Sequence, residues 1–147
     1  MAASFVKIKD TISPELLRMA KAASDPKPLL EAMGTAVVSM AQRAFTDEGL
    51  RPSTWDKRDP EPKDGHALLI KSGRLRKSIR ISAVTKTEVT ISSDAPYAAA
   101  HQFGCPEHNL PARPFLPFDK SGHLTPTGAD KVEKALRRAL KVRTGLA

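Results

Sequence analysis

The sequence predicts one α+β domain, in which a long N-terminal helix and a C-terminal helix pack on one face of a small antiparallel sheet and two long loops remain for contacts. Three observations lead to this prediction. A length of 147 residues fits one domain, two long segments carry apolar residues at helical spacing, and two short segments between them alternate apolar and polar residues. We treat residues 1–25 as an N-terminal arm with a short helix and residues 26–143 as the core.

Two helices are predicted in the first third of the chain. The Ser-Pro pair at 13–14 is typical of a helix start and predicts a short helix over about 14–23. The Asp-Pro pair at 25–26 starts a longer helix, which Gly49 can end. Gly34 interrupts that helix at a cost of about 1 kcal/mol relative to alanine, which indicates that another element packs closely there. The apolar residues at helical spacing are Leu30, Met33, Val37, Ala41, Ala44 and Phe45.

Residues 50–65 are predicted to form an extended surface loop, because prolines and alternating charges leave no periodicity. Trp55 is the one large apolar residue in this loop. It either anchors the loop to the core or contacts a partner protein, since tryptophan serves both purposes, and the sequence leaves both interpretations open.

A β-hairpin with one apolar and one polar face is predicted next. Its apolar members are Leu75, Ile79, Ile81, Ala83, Val89 and Ile91, and its polar members are Arg76, Lys77, Arg80, Ser82, Thr90 and Ser92. The turn near Thr85 and Lys86 lacks the Asn-Gly pair of the tightest hairpins. The sequence therefore does not indicate which residues of the two strands lie opposite each other.

The C-terminal part is predicted to contain a short helix over about 97–102, a proline-bounded loop up to Phe118, and a long helix in "TPTGADKVEKALRRALKVRTG". An apolar stripe and a basic stripe follow the long helix, and we expect them on opposite sides. The apolar stripe is Val132, Ala135, Leu136 and Ala139, and the basic stripe is Lys131, Lys134, Arg138 and Lys141.

The formal net charge of +8 arises entirely after residue 50, because residues 1–50 carry 6 positive and 6 negative side chains. A basic surface attracts phosphate backbones or acidic proteins, and it is also typical of a solvated, soluble face. No segment approaches the roughly 20 apolar residues that cross a bilayer, and the N-terminus lacks the apolar run of a signal peptide. The single cysteine, Cys105, cannot form an internal disulfide, so we expect assembly in a reducing cytoplasm.

Enzymatic chemistry finds little support. His101, Cys105 and His108 are close enough in sequence to suggest zinc, but their spacing matches no paired two-cysteine site. A Cys-His nucleophile would need a third group to orient the base, and no motif provides one. The eight glycines form no phosphate-binding loop. The seven aromatic residues are not interleaved with arginines as base stacking requires. We therefore expect no enzyme and no cofactor.

The segment "PYAAAHQFGCPEHNLPARPFLPF", residues 96–118, instead suggests a stiff contact surface. Its prolines fix backbone angles and so reduce the entropy lost on binding. Its apolar anchors are Phe103, Leu110, Phe115, Leu116 and Phe118. Arg113 adds a planar fork that can bind a carboxylate or carbonyl. We expect this loop to grip a neighbouring protein.

Four motifs then resemble a known family in order and spacing: "WDKRD" from Trp55, "LIKSGRLRKSI" at 69–79, "YAAAHQFG" at 97–104 and "LPARPFL" at 110–116. Over about residues 26–140 the chain resembles the phage virion morphogenesis family, the tail-completion proteins of Mu-like and related tailed phages. The family often has glycine after the last leucine of the fourth motif, where this chain has Pro117, so the exit of that loop is expected to differ.

The resemblance implies a small α+β neck component that assembles in the host cytoplasm into a ring, often a hexamer, where the virion head joins the tail and DNA passes through the centre. It implies homo-oligomer contacts and contacts with neighbouring connector and tail proteins. The protein-interface residues expected on this basis are Trp55, Tyr97, His101, Phe103, Arg113, Phe115 and Leu116. Those expected toward the DNA channel or acidic partners are Arg76, Arg80, Lys134, Arg138 and Lys141. The alternative is a stand-alone basic DNA-binding protein.

Overall fold

The computed structural model describes residues 25–56, 73–86, 88–119 and 123–144, and it shows the predicted mixture of helices with a small antiparallel sheet. The helices are α1 (Lys27–Ala44), α2 (Arg74–Ser78), α3 (Ala98–Phe103) and α4 (Pro126–Thr144), and the strands are β1 (Ile79–Val84) and β2 (Val89–Ser93). The short helix expected at 14–23 and most of the 50–65 loop lie outside the described residues.

Helix α1 confirms the prediction from the apolar spacing, and an arginine closes its C-terminal end. The side chain of Arg51 returns to the helix and donates hydrogen bonds from Nε to the carbonyl of Ala44 (2.7 Å) and from a terminal nitrogen to the carbonyl of Phe45 (3.2 Å). Because the last carbonyls of a helix have no partner within the helix, these bonds satisfy acceptors that would otherwise need water. The same guanidinium lies 3.8 Å from the centre of the Trp55 ring, so one side chain connects the helix end to the following loop.

The hairpin forms as predicted, but its entry differs from the alternating pattern. Leu75 is buried on the short helix α2, so the strand begins only at Ile79. β1 and β2 pair antiparallel, Ile79 opposite Ser93 and Val84 opposite Val89, with an irregularity between Ile81 and Ala83.

The expected polar face of β2 is also buried. Thr90, Ser92 and Ser93 are all shielded from solvent, and hydroxyl contacts join Ser92 to Ser82 and Ser93 to Ser78. Serine and threonine side chains can be buried when their hydroxyls find partners, which is why the simple apolar-polar alternation is wrong for this strand.

Gly34 explains how closely α1 approaches the hairpin. A Cβ atom at this position would lie 2.7 Å from Cγ2 of Val89 and 3.0 Å from Cδ1 of Ile81, closer than van der Waals contact permits. The expectation that something packs tightly against Gly34 is therefore confirmed, and the packing partner is the sheet.

Helix α1 is the element shared by the two halves of the structure, because it packs both on the hairpin and on α4. With 100° of rotation per residue, Ala36 and Arg43 lie almost opposite Gly34 on this helix. The hairpin and α4 therefore contact different sides of α1. Within α4, Val132 and Leu136 are fully buried against the core, as the apolar stripe predicted.

Candidate protein-interaction site

The segment that follows the hairpin is organised by one buried amide. In α3, Ala98 and Gln102 are one helical turn apart and both are buried. The Oε1 atom of Gln102 accepts hydrogen bonds from the backbone N–H groups of Phe115 (3.1 Å) and Leu116 (3.0 Å). Since buried backbone donors need partners, Gln102 fixes the end of the loop against the helix at its start.

Gly104 allows the chain to leave α3 and return along it. Its φ of 78° and ψ of 166° belong to a region that is essentially restricted to glycine. A Cβ atom here would lie 2.9 Å from the backbone nitrogen of Ala112. The Arg113 N–H donates to the carbonyl of His101 at 2.7 Å, so the returning segment of the loop lies directly against α3.

The tip of the loop, residues 106–109, is held in place by backbone hydrogen bonds between the residues on either side of it. Cys105 and Leu110 form an antiparallel bridge with hydrogen bonds of 2.9 and 3.0 Å in the two directions. The bridge encloses a 3-10 turn at Pro106–His108, and Asn109 closes it in the left-handed conformation with φ of 51°. Residues 106–109 are all exposed. The tip is thus a small, internally bonded projection.

Four of the predicted interface residues prove to be interior. Trp55, Arg113, Phe115 and Leu116 are each at most 5% exposed, so their side chains stabilise the subunit and are absent from its surface. Trp55 donates from Nε1 to the carbonyl of Pro114 (2.8 Å), and Arg113 donates from Nε to the carbonyl of Asp56 (2.9 Å). For Trp55, the anchoring interpretation is the one that the structure shows.

An aromatic cluster explains why these residues are buried. The ring of Phe45, at the end of α1, lies 5.9 Å from that of Trp55 in an edge-to-face arrangement and 5.6 Å from that of Phe115. These are favourable spacings for aromatic pairs. The proline-rich loop therefore completes the hydrophobic core.

The exposed aromatic residues lie at the two ends of α3. Phe103 is 63% exposed and Tyr97 is 37% exposed, and they are the large apolar side chains that the described residues present to solvent. We call Tyr97, Phe103 and the tip 106–109 the α3 surface. It retains two of the predicted interface residues.

His101 lies half-buried between this surface and the interior. Its ring stands edge-on to that of Tyr97, with centroids 5.6 Å apart. Its Nδ1 atom is buried and has no hydrogen-bond partner among the described residues. Burial lowers the pKa of His101 below its ordinary value of 6.5, and the positive charge of Arg113 lowers it further.

The predicted basic residues do not form a single patch. Arg76 lies on α2 and the exposed Arg80 on β1, whereas Lys134 and Arg138 lie on α4 where it borders α1. Lys141 is exposed further along α4. Since α4 and the hairpin contact different sides of α1, the structure separates these residues into a hairpin group and an α4 group.

The basic stripe of α4 also differs from the prediction in position. Lys131, Lys134 and Arg138 line a groove between α1 and α4 together with Ala135 and Ala139. The basic residues therefore flank the apolar stripe on the side toward α1 and do not oppose it. At 100° per residue, positions 131 and 138 fall about 40° and about 60° from position 135, so the spacing already places these two residues at the edge of the apolar stripe.

Two contacts were not predicted: the one between the Gln102 amide and the loop, and the one between Arg51 and the end of α1. For Gln102, the available signal was its i, i+4 spacing from Ala98 in a short helix, which places both residues on the same side of that helix. Nothing in the sequence distinguishes Arg51 as the residue that closes α1, because its two acceptors are set by the path of the chain after Gly49.

His, Cys, Asp and Glu side chains form no group of three or more that could hold a metal ion in the part of the chain that the structure describes. Across the same residues, no helix combines the length and the apolar character needed to span a membrane.

The model of the phage virion morphogenesis family matches residues 9–141 of the chain. No curated protein and no solved structure matches the chain.

Proposed function

Because the match covers most of its length, the chain belongs to the phage virion morphogenesis family, and we propose that it is a structural, non-enzymatic subunit of the junction between the virion head and tail. In this proposal several copies form a ring, with a hexamer as the expected size, around the channel through which DNA passes. Family membership supports a role in virion assembly. The neck position, the ring and its neighbours are our proposal.

The observation that carries this proposal is the α3 surface. Phe103 leaves almost two thirds of its surface in water, and burying a large apolar side chain against another protein is favourable. Aromatic side chains are also enriched among the residues that contribute most to binding between proteins. Phe103 and Tyr97 are therefore our candidates for the contact with a neighbouring subunit.

The support beneath this surface favours the same function. Gln102, Gly104 and the Cys105–Leu110 bridge hold α3 and the tip in one conformation through backbone hydrogen bonds. A surface that is already ordered loses less conformational entropy when a partner binds. A repeated subunit that must meet identical neighbours benefits from this rigidity.

A complementation experiment tests the proposal. The Tyr97→Ala/Phe103→Ala double variant should fold normally, because both side chains are exposed, yet it should fail to restore infectious particles to a phage that lacks this gene. Electron microscopy of the lysate should show separate heads and tails. Normal virions containing the double variant would contradict the proposal.

The control is a variant of similar size elsewhere on the surface. Lys77→Ala/Lys86→Ala removes two exposed side chains on α2 and just after the end of β1 and should leave particle formation intact. Circular dichroism and urea unfolding of both purified variants establish that any assembly defect is not a folding defect. Arg113→Ala and Phe115→Ala are unsuitable for this purpose because both residues are buried.

The second candidate function is a stand-alone DNA-binding protein, which the net charge of +8 favours. Binding to phosphate backbones releases counterions, so the affinity for duplex DNA would fall steeply as salt increases. Tight, salt-sensitive binding by the isolated subunit, together with its absence from purified virions, would favour this alternative over the structural role.

A further inference from the structure

We propose that the groove between α1 and α4 binds an acidic amphipathic helix contributed by another virion protein. This inference deepens the proposed function, because it assigns a second surface of the same subunit to a partner of defined chemistry. The groove is separate from the α3 surface and has a volume of about 580 Å³.

The floor of the groove is apolar and made of small side chains. Ala36 and Met40 contribute from α1, and Ala135 and Ala139 contribute from α4. The three alanines are only partly buried, so the two helices leave apolar surface uncovered where they meet. Short side chains on both helices let a third helix approach closely, and a helix that binds in such a groove uses apolar residues spaced three and four apart.

The rim of the groove is positively charged. Arg43, Lys131, Lys134 and Arg138 all line it. Lys134 pairs with Asp130 at 3.1 Å, with both side chains more than half exposed, and exposed pairs of this kind are weak and easily rearranged. Among the described residues, no carboxylate forms an ion pair with Arg43, Lys131 or Arg138. The groove thus presents an excess of cations that a partner with carboxylates would balance.

The shape of the site favours a helix over duplex DNA. Proteins read duplex DNA by inserting a projecting helix or ribbon into its major groove, whereas this site is concave. A phosphate backbone would also place charged oxygens over the alanine floor, which gains nothing from them. A helix with an apolar stripe between two rows of glutamates would pack its stripe on the alanine floor and pair its carboxylates with the cations of the rim.

The N-terminal arm of the same chain is a poor occupant on electrostatic grounds. Residues 1–24 carry 4 positive and 2 negative side chains, so their net charge has the same sign as the rim. Like charges placed together oppose association. The complementary partner is therefore expected in another protein.

Binding of a designed peptide to the full-length subunit tests the inference. The probe is a labelled peptide of about five helical turns, with leucine and alanine along one stripe and glutamate on both flanks, and its affinity is measured by fluorescence anisotropy. We expect Lys134→Glu/Arg138→Glu to weaken binding by at least about tenfold. The matched control, Lys77→Glu/Arg80→Glu, makes the same change in net charge on exposed residues of α2 and β1 and should have little effect.

A second pair of variants separates docking from simple charge attraction. Ala36→Leu fills the floor without altering charge and should also weaken binding by about tenfold, while Ala83→Leu, at an exposed position of β1, should not. Urea unfolding of each variant verifies that it is folded, and Ala139→Leu replaces Ala36→Leu if the latter is not.

Several results would overturn the inference. They are no binding by the wild-type subunit at about 1 mM peptide, equal binding of a peptide with glutamine in place of glutamate, and unchanged affinity in the folded floor variant. Competition by a short DNA duplex that is weakened by the same rim and floor variants would assign the groove to nucleic acid instead. These measurements are independent of the complementation experiment, so the head–tail role and the groove can each fail while the other holds.

Discussion

Gln102 shows how a single side chain can determine the path of a loop. Its carbonyl oxygen accepts from two consecutive backbone N–H groups, those of Phe115 and Leu116, in an interior where water cannot replace it. One amide therefore satisfies two backbone donors that would otherwise need acceptors on a neighbouring strand. Removing the amide would leave both donors without an acceptor, and this loss determines the decrease in the free energy of unfolding.

We expect Gln102→Leu to lower the free energy of unfolding by at least about 2 kcal/mol, because each stranded buried donor costs about 1–3 kcal/mol. Urea denaturation measures the loss. Gln42→Leu is the matched control, since the amide of Gln42 makes only long hydrogen bonds, 3.4 and 3.5 Å, to the carbonyls of Arg76 and Ile79. Equal losses in the two variants would contradict the assignment.

His101 should make stability depend on pH. Burial and the nearby Arg113 lower its pKa in the folded protein, so the unfolded chain binds a proton more readily than the folded one. Tyr97 is the other titratable side chain in ring contact with it. The contribution of the neutral ring to the free energy of unfolding is fully present above pH 6.5. It is lost as the pH falls through the lowered pKa of His101 in the folded protein.

The His101→Gln variant tests this dependence. Its free energy of unfolding should fall less than that of the wild type between pH 7 and pH 5. The comparison uses urea denaturation at each pH. A wild-type slope that persists in His101→Gln would show that another group carries it.

At the scale of elements, the contact between α1 and the hairpin depends on the absent side chain of Gly34. Alanine at this position would gain about 1 kcal/mol of helix propensity but would place its Cβ 2.7 Å from Val89. Inserting a methyl group into a packed interface costs about 1–3 kcal/mol. Valine is β-branched and cannot easily turn away, so we expect Gly34→Ala to be destabilising overall.

A double-mutant cycle isolates this clash. In a Val89→Ala background the nearest methyl is gone and only the Ile81 side chain, whose Cδ1 would lie 3.0 Å from the new Cβ, still has to shift. Gly34→Ala should therefore lower the free energy of unfolding less in this background than in the wild type, as measured by urea denaturation. Additive effects would mean that the helix and the hairpin accommodate the methyl without strain.

The elements also show what the sequence can and cannot predict. Helices α1, α3 and α4 follow from apolar spacing and proline or glycine signals, because their stabilising residues are neighbours in the chain. The burial of Thr90 and Ser92 does not follow, since it depends on what covers that face of the sheet. The burial of Phe115 does not follow for the same reason: whether an apolar loop residue faces inward depends on distant partners, here Phe45 and Gln102.

At the scale of the whole molecule, the proline-rich loop is part of the core and not an appendage. Through Trp55 and Phe115 it joins the end of α1, and through Gln102 it joins α3. The surfaces that we propose for partners are the α3 surface on one part of the subunit and the basic groove on another. Two separate surfaces are what a subunit needs if it must contact both its own copies and a different protein.

This arrangement predicts that the described core unfolds as one cooperative unit. Trp55 is the chain's only tryptophan, and it contacts the end of α1 and the loop together, so its fluorescence should change at the same urea concentration as the helical signal in circular dichroism. Phe115→Ala removes a fully buried ring and should lower the free energy of unfolding by about 3–5 kcal/mol in both signals.

The surface variant Phe103→Ala supplies the contrast, because its ring is mostly in water and its loss should change stability by no more than about 0.5 kcal/mol. If Trp55 fluorescence changed well before the helical signal, the loop would be a separately docked arm. The rigidity that we invoke for the α3 surface would then lose its basis. Coincident transitions, with Phe115→Ala shifting both and Phe103→Ala neither, would show that the α3 surface is supported by the same cooperative core that includes Phe115.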